Sequence, residues 1–230
     1  MTVAVTTALT CLLAGAAGCG AGGTGGIAGE RSADELLDDA NETMRALESV
    51  TVRSTTAAAK GGTMTRRFTT DLDSRCTART TWSEGGTLEQ IRIGETDYVR
   101  PDRAYLQRWN KSTATGTEQR LWVKTPADAE PTDGLVSCAW PFDSFGTATK
   151  GKTTRVDGRK AVEVKVTDKA VKEGTYTFYV AGEGRPYLLR TTYEGSDFRT
   201  VTSFSGFDEP MDVRPPKPAE VLSASGPASG

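Results

Sequence analysis

The hydrophobic positions follow a helical spacing near residue 32 and a spacing of two afterwards. The apolar residues at helical spacing are Leu36, Leu37, Ala40, Met44 and Leu47. Ser32 precedes them and Glu35 follows it by three positions, which is the pattern of a capping box. Acidic residues crowd the first turns, where they complement the helix dipole. The pattern predicts an amphipathic helix over residues 32–48.

From Val50 onward, apolar and polar residues alternate, as in strands with one buried face. Three runs show this most clearly: Cys76, Ala78, Thr80 and Trp82; Val162, Val164 and Val166; and Tyr176, Phe178 and Val180. Asp157-Gly158 is typical of a two-residue type I′ hairpin, and Gly94-Glu95 of a type II′ hairpin. About ten short strands joined by tight turns predict an antiparallel meander.

The segment 111–149 interrupts this alternation with prolines and many small polar residues. Within it, residues 132–145 are predicted to form a short helix that carries Trp140 and Phe142. Inserts of this kind often gate a pocket. Aromatic side chains also pack in ordinary cores, so a plain core role stays open for every aromatic candidate: Trp82, Trp109, Trp122, Trp140, Phe142, Tyr176 and Phe178.

The first residues have the character of an export leader. Residues 3–13 carry no charge and are followed by Ala16-Ala17-Gly18-Cys19. As a helix this stretch would reach roughly 25 Å, less than a hydrocarbon core of about 30 Å. A buried N-terminal helix with an incidental cysteine is the alternative.

A cysteine directly after Ala-Ala-Gly resembles the lipobox of bacterial lipoproteins. The resemblance implies a signal peptide over residues 1–18, a diacylglycerol-modified Cys19 and an anchor on the outer face of the cell membrane. Residues 19–31 would then be the lipidated cysteine and a Gly-rich tether.

Composition excludes several function classes. The net charge is −2 with both signs interspersed, so no basic stripe suggests nucleic-acid binding. The chain has no histidine, which removes Ser-His-Asp and Cys-His systems and most catalytic zinc sites. The acidic pairs Asp71/Asp73 and Asp208/Glu209 are interpreted as solvated turn residues rather than a glycosidase-like pair. We expect neither an enzyme nor a metal or cofactor beyond the acyl anchor on Cys19.

Two cysteines remain in the folded part, Cys76 and Cys138. In an exported protein an even pair indicates one disulfide. Two unpaired buried thiols are the alternative.

Three local phrases carry a wider resemblance: residues 93–100 (IGETDYVR), 184–190 (GRPYLLR) and 204–210 (FSGFDEP). Together with the helix, the meander and the insert behind a lipobox, they resemble the LolA-like superfamily, and more closely the LppX/LprG-type lipoproteins of high-GC Gram-positive bacteria. The resemblance covers roughly residues 32–216. It implies an α+β, β-dominated domain over 32–217. The prolines near the end of this range, and the Ala, Ser and Gly residues beyond it, predict a disordered tail over 218–230. A strongly curved antiparallel half-barrel would hold the N-terminal helix and the short helical insert on its concave face.

The resemblance also implies an apolar cavity that can hold acyl chains. We therefore expect a monomeric, membrane-anchored lipoprotein that carries a lipid or glycolipid ligand without covalent chemistry, with Trp140 and Phe142 as ligand-binding candidates. The alternative is a lipid-anchored interaction or sensor module whose core is filled.

Overall fold

The computed structural model describes residues 31–109, 121–127, 134–143, 146–167 and 174–222. In these ranges the helices are α1 (Ala33–Arg45), α2 (Arg103–Arg108) and a 3-10 turn (Pro218–Glu220). The strands are β1 (Val50–Ala58), β2 (Thr63–Thr70), β3 (Arg75–Trp82), β4 (Thr87–Ile93), β5 (Thr96–Pro101), β6 (Val123–Pro126), β7 (Thr147–Val156), β8 (Arg159–Thr167), β9 (Thr175–Ala181), β10 (Leu188–Glu194) and β11 (Phe198–Ser205).

The eleven strands form one open, curved sheet in the order β6-β5-β4-β3-β2-β1-β11-β10-β9-β8-β7. Every named neighbouring pair is antiparallel, so the predicted meander and half-barrel are confirmed. The first and last strands meet in the middle, where Val52 lies between Phe68 and Phe204. The sheet therefore consists of two halves, β1–β6 and β7–β11, which are joined by the pairing of β1 with β11. We call this pairing the central seam.

Two hairpin turns follow the predicted chemistry. Val156 pairs with Arg159 across Asp157 and Gly158, which both have positive φ, +48° and +82°. A type I′ turn requires positive φ at both central residues. In the β4–β5 turn only Gly94 has a positive φ, +59°, as a type II′ turn requires.

The predicted first helix is confirmed, with its start at the expected residue. The Ser32 N–H donates to Glu35 Oε2 over 2.7 Å, and the Glu35 N–H donates to Ser32 Oγ over 3.2 Å. These backbone and side-chain bonds from Ser32 hold the pKa of the Glu35 carboxyl below its ordinary value. Helix α1 ends at Arg45, before the predicted residue 48, and Leu47 beyond its end is still buried. Its apolar face packs on β7–β10.

The expectation of a helix over residues 132–145 is wrong for the described residues 134–143. They form an irregular extended segment, which we call the strap. Gly134 has a φ of +90° and Pro141 supplies no N–H, so neither end favours helix. Backbone groups of the strap are instead satisfied by side chains of the sheet, among them Thr70, Thr80 and Gln90. The second helix, α2, lies earlier in the chain.

The folded part continues past its predicted end at residue 217. The Trp122 N–H donates to Glu220 O over 2.7 Å, and the Leu222 N–H donates to Trp122 O over 2.8 Å. Trp122 and Val221 form a parallel bridge. The tail expected from residue 218 is therefore ordered through Leu222, because it pairs with the segment leading into β6. Residues 223–230 lie outside the described residues.

The predicted signal peptide, Cys19 and the tether up to residue 30 also lie outside the described residues. They remain predictions. Within the described ranges, no helix is long and apolar enough to cross a membrane.

Candidate ligand cavity

The strap is fixed to the sheet by a covalent bond. Cys76 on β3 and Cys138 form the expected disulfide, with their Cα atoms 5.4 Å apart, and both residues are buried. Beside it, the Thr70 hydroxyl donates to the carbonyl oxygen of Cys138 over 2.5 Å. The disulfide thus holds the middle of the strap against β2 and β3.

A buried carboxamide provides a second attachment. The Val136 N–H donates to Gln90 Oε1 over 2.8 Å, and Gln90 Nε2 donates to Val136 O over 3.0 Å. Gln90 Nε2 also donates to Asp97 Oδ1 over 2.9 Å. Asp97 in turn accepts from Arg92 Nε at 2.8 Å and from Nη2 at 2.6 Å. The strap is therefore bound to β4 through the buried Gln90–Asp97–Arg92 network.

The start of the strap lies against β3 at Gly134. The Thr80 hydroxyl donates to Gly134 O over 2.9 Å. A Cβ at Gly134 would lie 2.5 Å from a ring carbon of Trp82, closer than two carbons can approach. Only glycine fits this combination of positive φ and close contact.

We expect Gly134→Ala to destabilise the protein by about 2 kcal/mol, since it adds a left-handed alanine and an overpacked contact. Urea unfolding monitored by circular dichroism measures this change. The matched control is Gly61→Ala, at φ +97° with no atom within 4 Å of the added Cβ. It carries the backbone strain without the clash, so an equal loss in both variants would contradict the packing explanation.

The far end of the strap brings aromatic rings to the concave face. The ring of Trp140 lies 5.8 Å from Phe68 and 5.8 Å from Phe204, and that of Phe142 lies 5.7 Å from Phe204. The carbonyl of Phe142 accepts from Arg45 Nε over 3.0 Å, which ties the strap to the last turn of α1. Aromatic contacts at these distances stabilise beyond simple burial. The end of the strap that carries Trp140 and Phe142 is thus held by ring contacts to β2 and β11 and by a hydrogen bond from α1.

A cavity of about 310 Å³ opens between this end of the strap, helix α1 and strands β9–β11. This volume is at the lower end of the range of about 300–1,000 Å³ typical of ligand pockets. The lining residues are Asn41, Trp140, Pro141, Phe142, Asp143, Tyr176, Phe178, Leu188, Thr191, Tyr193, Phe198, Thr200 and Thr202. Both ligand candidates from the sequence, Trp140 and Phe142, line it. Their contact with a ligand remains a prediction.

A second group of aromatic rings, from β9, β10 and β11, also lines the cavity. The ring of Tyr193 lies 4.7 Å from Tyr176 and 4.9 Å from Phe198, and Tyr176 lies 6.4 Å from Phe178. Phe198 is 42% exposed at the end of β11, so it marks the open side of the cavity. Two groups of aromatic rings therefore line the cavity.

The other aromatic candidates lie elsewhere. Trp82 and Trp109 pack with Tyr105 of α2, at ring distances of 5.5 to 6.5 Å. Trp122 lies under the guanidinium of Arg100, 4.4 Å from the ring centroid. These contacts stabilise the β3–β6 side of the sheet and form no part of the cavity.

Sequence reasoning missed the threonines of the cavity, Thr191, Thr200 and Thr202. The alternation along β10 and β11 places these threonines on the same inward face as Tyr193 and Phe204. Because threonine is polar, a search for apolar positions does not select it. The lining of the cavity therefore combines threonine hydroxyls from β10 and β11 with aromatic rings.

The acidic pairs considered as catalytic are turn residues, as interpreted from the sequence. Asp71 Oδ1 accepts from the backbone N–H groups of Asp73, Ser74 and Arg75. Asp208, at φ +58°, accepts from the Glu48 N–H over 2.8 Å. Both carboxylates stabilise turns through backbone bonds, a common role of aspartate.

Comparison with solved structures identifies the class of fold. LprF from Mycobacterium bovis superposes with a TM-score of 0.54 at 15% identity, covering 80% of this chain and 96% of that one. The Mycobacterium tuberculosis lipoprotein LppX gives 0.51 at 14% identity, covering 80% of this chain and all of that one (100%). Neither a protein-family model nor a curated protein matches the sequence. The chain therefore has the same fold as LprF and LppX, which is the fold that the sequence resemblance implied.

Proposed function

We propose that this protein binds or carries a hydrophobic, acyl-containing ligand in the cavity between the strap, α1 and β9–β11, without covalent chemistry. The observation that carries the proposal is the cavity itself. It lies inside the curved sheet and is walled by two groups of aromatic rings. Burying apolar ligand surface there would stabilise the complex by about 25 cal/mol per Å².

The proposal includes an acyl anchor on Cys19 at the outer face of the cell membrane. The supporting observations are the lipobox-like Ala-Ala-Gly-Cys sequence and a fold shared with LppX, which is described as a lipoprotein. A Gly-rich tether would let the domain stay beside the membrane that supplies its ligand. The protein would then act as a monomeric carrier close to its lipid source.

The test is native mass spectrometry of the exported full chain with Cys19→Ser, which removes the proposed lipidation site and so the need for detergent. We expect a bound species in the lipid mass range. Trp140→Ala should weaken binding about tenfold, because loss of roughly 60 Å² of contact corresponds to about 1.4 kcal/mol. Trp109→Ala is the matched control, since Trp109 packs on α2 away from the cavity.

A consistently ligand-free mass, with a thermal stability that lipid extraction does not change, would contradict the carrier. It would favour the other function considered from the sequence, an anchored interaction or sensor module. Equal weakening by Trp140→Ala and Trp109→Ala would place ligand binding outside this cavity.

A further inference from the structure

One row of residues on the concave face is unusually polar. Across β3, β2, β1 and β11, the residues in register are Thr80, Arg66, Ser54 and Thr202. The neighbouring row toward the strap is Ala78, Phe68, Val52 and Phe204. A guanidinium and three hydroxyls thus lie two residues along their strands from the apolar row, whose Phe68 and Phe204 contact Trp140.

Arg66 is the cation of this row, and it has no acidic partner among the described residues. In the part of the chain that the structure describes, its one side-chain hydrogen bond is from Arg66 Nε, which donates to Thr80 Oγ1 over 3.4 Å. Arg92, on the same face of β4, is by contrast paired with Asp97. Burial lowers the pKa of the Arg66 guanidinium, but an arginine stays charged in proteins. Arg66 is half-buried on the concave face, where a cation without an acidic partner is available to bind an anionic group.

The polar row continues into the cavity. Thr202 lines the cavity and donates to Ser54 Oγ over 3.3 Å. Ser54 pairs in register with Arg66. With strands about 4.8 Å apart, Arg66 is two strands, or roughly 10 Å, from the cavity wall. A ligand with its chain among the rings could therefore place its other end at the guanidinium.

We infer that the ligand is an anionic amphiphile whose carboxylate or phosphate is bound by Arg66, with the Ser54 and Thr202 hydroxyls between the headgroup and the chain. This inference rests on the proposed carrier function and specifies the chemistry of its ligand. Guanidinium groups match carboxylate and phosphate oxygens with paired donors, and such charge-assisted bonds are about twice as strong as neutral ones.

The test uses three probes with the same twelve-carbon chain: dodecanoate, dodecyl phosphate and methyl dodecanoate. Each is titrated by calorimetry at pH 7.5 into the Cys19→Ser chain and into variants of it. We expect at least one of the two anions to bind about tenfold more tightly than the neutral ester. The anion with the larger preference identifies the headgroup class.

Arg66→Met should abolish this preference while leaving ester binding unchanged, and Arg66→Lys should retain part of it. The matched control is Arg67→Met, at the next residue of β2, which is exposed on the opposite face. Retained ester binding by Arg66→Met also shows that the variant is folded.

Two results would overturn the inference, and they are distinguishable. If the ester and both anions bind the parent chain equally, or if Arg66→Met keeps the preference, the cavity binds chains but Arg66 binds no headgroup. If none of the three probes binds the parent chain, the proposed carrier function fails together with the headgroup site.

Discussion

Asp97→Ala is expected to lower the free energy of unfolding by about 3 to 5 kcal/mol. Asp97 is 1% exposed and accepts two hydrogen bonds from Arg92 and one from Gln90. Removing its carboxylate takes the acidic partner away from the buried guanidinium of Arg92, and breaking a buried ion pair from one side is costly. Gln90 also loses the partner that orients its amide toward Val136. Chemical denaturation at neutral pH measures the change.

Glu89→Ala is the matched control on the same strand. Glu89 is bonded to Arg79 and Arg100 on the outward face, and all three side chains are at least a quarter exposed. Exposed pairs contribute about 0–1 kcal/mol, so this variant should change stability by no more than that. A double variant, Arg92→Met with Asp97→Leu, should recover most of the loss, because an apolar pair leaves no buried charge. Equal losses in Asp97→Ala and Glu89→Ala would contradict this account.

The second large effect concerns the disulfide. Replacing both cysteines, Cys76→Ala with Cys138→Ala, should destabilise the protein by about 4 kcal/mol. The bridge joins residues 62 positions apart, and in the chain-entropy model a loop of that length restricts the unfolded chain by this amount. The loss should appear as a lower denaturant midpoint. The strap would keep its Gln90 attachment in this variant, so we expect a weaker fold rather than a different one.

Reduced wild-type protein is the control for lost side-chain volume. It keeps both sulfur atoms, so its stability should lie close to that of the double variant, with the remaining difference due to the two small cavities. An unchanged midpoint after reduction, with both free thiols confirmed by mass, would contradict the assigned role of the bridge.

Much of the fold could be predicted because the signals are local. Ser32 and Glu35 specify a helix start through their own hydrogen bonds, and Asp157-Gly158 specifies a turn by its backbone preferences. The alternation of Val162, Val164 and Val166 predicts a buried strand face without knowledge of its partners. The strap was predicted wrongly because its backbone bonds go to Thr70, Thr80 and Gln90, which are distant in sequence. Their side chains replace the hydrogen bonds that a helix would have made.

The candidate site was partly predictable for a related reason. Trp140 and Phe142 stand out as bulky apolar residues in a polar insert, so a pattern search finds them. Arg66 does not stand out, since an arginine in an alternating strand is usually assigned to the solvent face. Its inward position follows only from its phase with Phe68 and Thr70, both of which are buried. A charged residue in phase with buried ones along a strand is therefore the pattern that indicates an inward-facing cation.

The central seam between β1 and β11 has a consequence for the order of folding. The other neighbouring strands are much closer in sequence. Most of them form hairpins from local contacts, and the longest of these connections runs from Pro101 to Val123, between β5 and β6. The pairing of Thr51 with Ser205 must wait until nearly the whole chain is present. Helix α1, which precedes β1, packs on the hairpins of the other half. Non-local pairing is slow to form, so we expect the closing of this seam to be a late step that joins two separately formed halves of the sheet.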